Sequence, residues 1–128
     1  MKTPFIALAL FGLMLTATQN TFASDAKETA HSLALLSYIK VKPGYEAQFR
    51  KEIETIIEPS RSEPGNIAWF VQESKDEPQV FVFYTRWVDE AALTAHLQSP
   101  PLAAYLKRTA PFLAEPAKLV RFTPVDLH

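Results

Sequence analysis

The 128-residue sequence contains no cysteine and only three glycines. The absence of thiols excludes disulfide bonds, thiolate nucleophiles, iron–sulfur clusters and cysteine-based zinc sites. Too few glycines are present for a GxGxxG or P-loop phosphate cradle, and neither a GxSxG nucleophile elbow nor an HxxxH metal pair occurs. The sequence therefore excludes the commonest nucleotide-binding and hydrolase motifs.

An excess of charge is also lacking, because 13 Lys and Arg residues oppose 14 Asp and Glu residues. This balance provides no electrostatic footprint for nucleic acid or for an anionic membrane surface. Hydrophobic residues nevertheless make up 48% of the chain, which is typical of a folded globular protein. The length predicts one domain.

The N-terminus has the layout of a secretory signal peptide. An apolar run of eleven residues follows Lys2, and Ala23 is a small residue suited to cleavage. The run is too short to span a bilayer, which needs about 20 residues. We expect a leader at residues 1–23, a flexible tether at 24–32 and a domain at 33–124. The product is then periplasmic or secreted, without a membrane anchor after cleavage; the alternative is an uncleaved interfacial anchor.

Hydrophobic periodicity predicts four strands and three helices in the rest of the chain. The strands are expected at Leu33–Val41, Asn66–Glu73, Gln79–Val88 and Ala117–Thr123. The helices are expected at Tyr45–Ile57, where Pro59 closes the element, at Glu90–Gln98, and at Leu102–Thr109 after a break at Pro100-Pro101. With the last two helices as one helical region, the order is βαββαβ. This order predicts a ferredoxin-like α+β sandwich, in which helices cover one face of an antiparallel sheet.

The third strand is apolar on both faces, although helices can cover only one of them. Phe81, Phe83 and Trp87 share one face of this strand. Val80, Val82 and Tyr84 share the other. A monomer would expose a broad apolar sheet, which soluble monomers rarely do. We therefore expect a homodimer in which two sheets pack face to face.

Few residues are candidates for chemistry. His96 lies on the apolar side of the second helical region and is either an acid/base in a pocket or a buried structural histidine. Trp69 and Trp87 are either ligand platforms or core residues. Asn66 follows Pro-Gly, where a turn residue is as reasonable as a substrate contact. Arg86 is a charge within an apolar strand and needs a partner, either a carboxylate such as Glu73, a carboxylate of the other subunit, or an anionic ligand group.

Three segments resemble the antibiotic biosynthesis monooxygenase superfamily, and within it the small quinol monooxygenases. They are SRSEPGNIAW at 60–69, DEPQVFVFYTRW at 76–87 and AHLQSPPLAAY at 95–105. The resemblance runs from residue 33 to residue 123. It implies a dimeric α+β barrel, with a pocket between the sheet and the helices of each subunit.

The resemblance also implies a reaction without a cofactor, in which a deprotonated quinol or similar aromatic reduces O2 directly. His96 would be the base, with Asn66 and Arg86 as oxyanion donors. The walls of the pocket would come from Trp69, Tyr84 and Trp87. Because Arg86 and Trp87 are adjacent in a strand, they face opposite sides of the sheet, and only one of them can line a given pocket.

Other members of the superfamily resemble the chain equally in fold. They imply three alternatives: a haem-binding or haem-degrading enzyme with His96 as the only candidate axial ligand, an isomerase that uses this histidine without oxygen, and a non-catalytic dimer that binds a small molecule. The identity of the substrate cannot be read from the sequence.

Overall fold

The computed structural model describes residues 28–125. The strands are β1 (Leu33–Lys40), β2 (Asn66–Glu73), β3 (Val80–Trp87) and β4 (Lys118–Phe122). The helices are α1 (Glu46–Arg61), α2 (Glu90–Leu97) and α3 (Pro100–Thr109), and a short 3-10 turn follows at Ala110–Phe112. The predicted strands and α2 differ from these bounds by no more than one residue at either end.

The four strands form one antiparallel sheet in the order β2-β3-β1-β4. The two central strands are therefore β1 and β3, and each pairs with both of its neighbours. This order and the placement of the helices confirm the predicted ferredoxin-like α+β fold.

The sheet has two faces with different surroundings. The helix-covered face, here called the inner face, packs Leu35, Phe81 and Phe83 against Phe49 and Ile53 of α1. The opposite face, here called the outer face, carries the alternate residues, which the strand register aligns into rows. One such row runs across the sheet through Phe70, Tyr84, Leu36 and Val120. The predicted assignment of apolar residues to both faces of β3 is confirmed.

Two predicted helix boundaries were wrong, and proline is the reason in both cases. Pro59 lies inside α1 rather than beyond its end, because the missing N–H costs one hydrogen bond only, close to the helix terminus. Arg61 continues the last turn and donates to the backbone oxygen of Trp69. Pro100 and Pro101 begin α3 instead of breaking the chain before it, since the first helical N–H groups need no partner within the helix.

The segment just before β1 contacts the domain. The Thr29 hydroxyl donates to the backbone oxygen of Val88, and the buried Ser32 hydroxyl accepts from the Thr29 amide. The predicted leader at 1–23 and part of the predicted tether lie outside the described residues, so export stays a prediction. Within residues 28–125, no helix has the length and hydrophobicity needed to cross a membrane.

Candidate active site

A cavity of about 170 Å3 lies between the inner face and the helices. Its floor is formed by strand residues and its roof by helical residues, and nearly all of them are apolar. The lining consists of Leu35, Ser37, Ile39, Ile56, Trp69, Phe83, Thr85, His96, Leu97, Leu102, Tyr105, Leu106, Ala117 and Leu119. Leu97, Leu106 and Leu119 are substantially exposed and mark the side on which the cavity opens to solvent.

His96 reaches this cavity from α2. Asp89 caps the helix by accepting a hydrogen bond from the Ala92 amide, so the helix begins at a fixed residue. The His96 side chain then points inward, and the residue is only 5% exposed. Its Nδ1 lies 3.0 Å and 3.2 Å from the two carboxylate oxygens of Glu63. One ring nitrogen is therefore engaged by a carboxylate.

Trp87 stacks on the imidazole ring of His96. The two rings stack with centroids 4.6 Å apart and an angle of 30° between their planes. The indole Nε1 donates to the Thr85 hydroxyl at 2.9 Å, and Thr85 in turn donates weakly to the backbone oxygen of Leu35. Because Trp87 is fully buried and does not line the cavity, it holds the histidine ring rather than forming a substrate wall.

Trp69 lines the cavity from β2. Its ring meets Phe83 edge to face, with centroids 5.4 Å apart, and the residue is buried. This contact fixes the aromatic side of the cavity floor. Of the six residues predicted for the site, only Trp69 and His96 line the cavity.

Asn66 lies outside the cavity, and its side chain forms hydrogen bonds with the backbone. Its side-chain amide donates to the backbone oxygens of Ala68 and Arg86, across the irregularity where β2 joins β3. The left-handed backbone conformation in this turn belongs to Gly65, whose φ is +82°, and Asn66 is the first residue of β2. The predicted role of Asn66 as an oxyanion donor in the cavity of His96 is not supported by this placement.

Arg86 and Tyr84 lie on the outer face, away from the cavity. Arg86 forms an ion pair with Glu28, and both residues border a separate shallow cleft that also contacts Tyr84. The carboxylate partner that the sequence required for Arg86 is thus Glu28, and not Glu73, which pairs with Arg50. Strand alternation keeps both Arg86 and Tyr84 from reaching the site of His96.

Three features of the site were not found by sequence reasoning. Glu63 carries no signal in the loop sequence, because its contact with His96 depends on how the loop packs on α2. Ser37 and Thr85 do carry one, since each interrupts the apolar residues on the inner face of a central strand. Tyr105 is a buried residue of α3 that also lines the cavity.

Tyr105 is held in its neutral form. Burial raises the pKa of its phenol far above the ordinary value, and the nearby negative charge of Glu52 acts in the same direction. Its hydroxyl oxygen forms no hydrogen bond with the described residues. Tyr105 therefore cannot act as a base at any ordinary pH.

Among residues 28–125, no group of three or more His, Cys, Asp and Glu side chains could hold a metal ion. The fold and the site together define a ferredoxin-like α+β domain with one carboxylate-bound histidine in a small, mostly apolar cavity. A family model described as antibiotic biosynthesis monooxygenase matches residues 32–108, and the chain belongs to this family.

Individual relatives carry different names. "Uncharacterized protein sll1783" of Synechocystis is 32% identical over 91% of this chain and 80% of its own length. "Putative monooxygenase YcnE" of Bacillus subtilis is 32% identical over 70% of this chain and 94% of its own length. A Yersinia enterocolitica protein named as an isomerase of (4S)-4-hydroxy-5-phosphonooxypentane-2,3-dione is 30% identical over 66% of this chain and 88% of its own length.

The solved structure described as "Putative antibiotic biosynthesis monooxygenase from Nitrosomonas europaea" has the same fold. It superposes with a TM-score of 0.72 at 25% identity and covers 77% of this chain and 95% of its own. The family is thus established, whereas the names of its members leave both monooxygenase and isomerase activities open for this chain.

Proposed function

We propose that this protein is a cofactor-independent monooxygenase that oxidises a small hydroxylated aromatic, such as a quinol, with O2. The observation that carries the proposal is the histidine itself, buried at the wall of an apolar cavity and bound through Nδ1 to a carboxylate. A base in such a place can take a proton from a phenol that the apolar walls have removed from water.

The assignment of the base follows by elimination among the described residues that line the cavity. Only His96 and Tyr105 have side chains that titrate in water. Because burial raises the pKa of Tyr105, its phenol stays protonated. His96 is the remaining proton acceptor.

The size of the cavity supports a single aromatic ring as the reacting group. A buried apolar cavity of about 150 Å3 is enough to hold benzene, and the volume here is about 170 Å3. The ring would lie beside Trp69, while a substituent could extend past the exposed leucines at the opening. A tetrapyrrole exceeds this volume and would have to extend through the opening to solvent.

The reaction balances with O2 as the only co-reactant. His96 takes the proton of the ring hydroxyl, and the ring anion passes one electron to O2. The resulting radical and superoxide combine, which forms a C–O bond at a ring carbon that bears hydrogen, and the peroxide regains the proton from His96. Loss of the C–H proton to His96 and cleavage of the O–O bond leave a quinone carbonyl and release water. One oxygen atom stays in the product, and the ring loses four electrons.

Stabilisation of the ring anion also comes from His96. Once protonated, the imidazolium lies next to the anion that it created, and charge pairs of this kind are strong where water is excluded. Asn66 and Arg86 are not needed for this role. The Ser37 hydroxyl, also on the cavity wall, is a further candidate donor to the substrate.

An isomerase is the second candidate, because one relative carries that name. Such an enzyme would also use His96 as a base, but without oxygen. The relative's named substrate bears a phosphate, whereas no Lys or Arg is among the described residues that line this cavity. A phosphate dianion would lack a cationic partner there, which makes the phosphorylated substrate unfavourable for this chain.

The direct test is oxygen consumption with single-ring, two-ring and three-ring hydroxylated aromatics, with 18O2 used to trace the product oxygen. We expect uptake with single-ring quinols and one labelled oxygen in the product. His96→Gln should lower the rate by about 10²- to 10⁴-fold, the usual contribution of a general base. His31→Gln is the matched control, because His31 is exposed and outside the cavity.

Two outcomes would contradict the proposal. One is the absence of oxygen uptake with every quinol, and the other is unchanged uptake in the His96→Gln variant. Oxygen-independent isomerisation of a hydroxyketone that depends on His96 would favour the second candidate. Ligand binding without turnover, unaffected by His96→Gln, would favour a non-catalytic binding protein.

We also propose that the active form is a homodimer, built by packing two outer faces together into a barrel. Apolar residues of this face are widely exposed in one chain: Phe70 is 54% exposed, and Val120 and Phe122 are 46% exposed. Exposed apolar surface of this kind favours association. Sedimentation velocity should show a dimer at low micromolar concentration, and a monodisperse monomer would contradict the proposal.

A further inference from the structure

The contact between Glu63 and His96 determines which nitrogen of the histidine ring carries a proton. An ionised carboxylate can only accept hydrogen bonds. Both of its oxygens lie within 3.2 Å of His96 Nδ1, so this nitrogen carries a proton. In the neutral ring the second nitrogen, Nε2, is then unprotonated and has a free electron pair.

We propose that Glu63 is a positioning residue that fixes His96 in the Nδ1–H tautomer and so makes Nε2 the basic atom of the cavity. The catalytic consequence rests on the proposed function, since it requires that His96 accept a proton from substrate. The tautomer itself does not depend on any substrate.

The fold restricts the histidine ring from two sides. Trp87 stacks on the face of the ring, and Glu63 holds its Nδ1 edge. The His96 side chain is buried and that of Glu63 is partly buried, with exposures of 6% and 17%. Rotation of the ring by half a turn would exchange Nδ1 with Cδ2 and Nε2 with Cε1, so it would replace the nitrogen at the carboxylate by a carbon and break the contact with Glu63.

The position of Glu63 is set by the loop between α1 and β2. The Glu63 amide donates to the Ser60 oxygen, and its own oxygen accepts from the Asn66 amide. Gly65 then allows the loop to approach α2 closely, since a Cβ at this residue would lie 2.6 Å from the Cβ of Ala92. This close approach brings the carboxylate to the helix that carries His96.

The test combines 15N NMR of histidine-labelled protein with steady-state kinetics. Spectra are recorded as a pH series from which the neutral form of the ring is read, and the His96 signals are assigned by their loss in His96→Gln. In the wild type we expect a pyrrole-like Nδ1 and a pyridine-like Nε2. Glu63→Met removes the acceptor at similar volume, so Nε2 should gain pyrrole character as the other tautomer becomes populated.

Kinetics then link the tautomer to the reaction. Glu63→Met should lower kcat by about 10- to 100-fold, less than the loss caused by removing His96 itself. Glu73→Met is the matched control, because Glu73 also binds a side-chain nitrogen, that of Arg50, but has no contact with His96. It should change neither the His96 spectrum nor kcat.

The outcomes separate this proposal from the proposed function. A wild-type spectrum with a protonated Nε2 and a bare Nδ1 would overturn the positioning role, and this measurement needs no variant that might fail to fold. An unchanged tautomer in folded Glu63→Met would overturn it as well. The expected tautomer without any oxygen uptake would instead retain the positioning role and refute the monooxygenase.

Discussion

The two faces of the sheet are built from the same strands and are both rich in apolar residues, yet they serve different purposes. On the inner face, hydroxyl groups of Ser37 and Thr85 interrupt the apolar rows, and helices close a cavity over them. On the outer face, aromatic and aliphatic side chains remain exposed, and Arg86 is bound by Glu28. The comparison teaches that apolar content alone does not show which face is covered, whereas small hydroxyl side chains within an apolar row mark the face that carries the cavity.

The largest difference in stability should appear when one aromatic residue of β3 is truncated on each face. Trp87→Ala removes a fully buried indole from the inner face and should lower the free energy of unfolding by about 3–5 kcal/mol. Tyr84→Ala, on the outer face, should cost clearly less in a dilute sample, because this residue is 37% exposed in one chain. Urea denaturation measures both, and equal costs would remove the distinction between the faces.

A charge introduced on the outer face should weaken dimerisation rather than the stability of one chain. Val120→Glu places an unpaired carboxylate in each copy of the proposed dimer interface, and we expect dimerisation to weaken by about 100-fold or more. Arg121→Glu is the control, because Arg121 is the next residue of β4, points to the opposite side and pairs with Glu90 at the surface. If the two variants dissociate equally in sedimentation experiments, the outer face is not the interface.

A smaller effect is expected at the loop that closes the inner face. Gly65→Ala combines a positive φ with contacts of 2.6 Å to Ala92 and 2.9 Å to Val88, and it should destabilise the protein by about 2 kcal/mol. Gly44→Ala also has a positive φ but meets nothing within 4 Å, so about 1 kcal/mol is expected there. Thermal or chemical denaturation should rank the two variants in this order.

The double variant Gly65→Ala/Ala92→Gly sharpens this test. It relieves the 2.6 Å collision with Ala92 but neither the 2.9 Å contact with Val88 nor the strained φ, and a glycine within α2 has a cost of its own. We therefore expect Gly65→Ala to cost less stability in the Ala92→Gly background than in the wild type. An equal cost in both backgrounds would show that packing against Ala92 does not set it.

The fold could be predicted from the sequence because it depends on patterns that are local in the chain. The apolar stripe of α1 shows which side of the helix is buried, apolar runs between turn signals mark the strands, and the order of elements then fixes the topology. The end of α1 near Pro59 and the start of α3 at Pro100 were predicted wrongly, because the effect of a proline depends on its position within the helix.

The site was predicted less completely, because it depends on contacts between distant residues. His96 and Trp69 could be found, since a histidine on an apolar helix face and a large aromatic in a strand are visible in the sequence. Glu63 could not, because 33 residues separate it from His96 and only the packing of a loop on α2 brings them together. Arg86 was predicted for the site because it is a charge in an apolar strand, but strand alternation places it on the face without the cavity.

The smallest predicted effect concerns Tyr105, on the cavity wall of the inner face. The pKa of its phenol is raised by burial above the ordinary value of 10.0, so the folded protein holds this proton more tightly than the unfolded chain. Its contribution to stability is therefore fully present below pH 10 and is lost as the pH rises further, because the unfolded tyrosine then ionises.

Tyr105→Phe should remove this pH dependence. At neutral pH the variant should be as stable as the wild type or more stable by about 1 kcal/mol, since it deletes a buried hydroxyl that bonds to no described residue. Above pH 10 the difference should widen in favour of the variant, as measured by urea denaturation at several pH values. Tyr84→Phe provides the comparison with the outer face, where the phenol is accessible to solvent. A difference that narrows with pH for Tyr105→Phe would mean that the hydroxyl is not enclosed by the inner face at all.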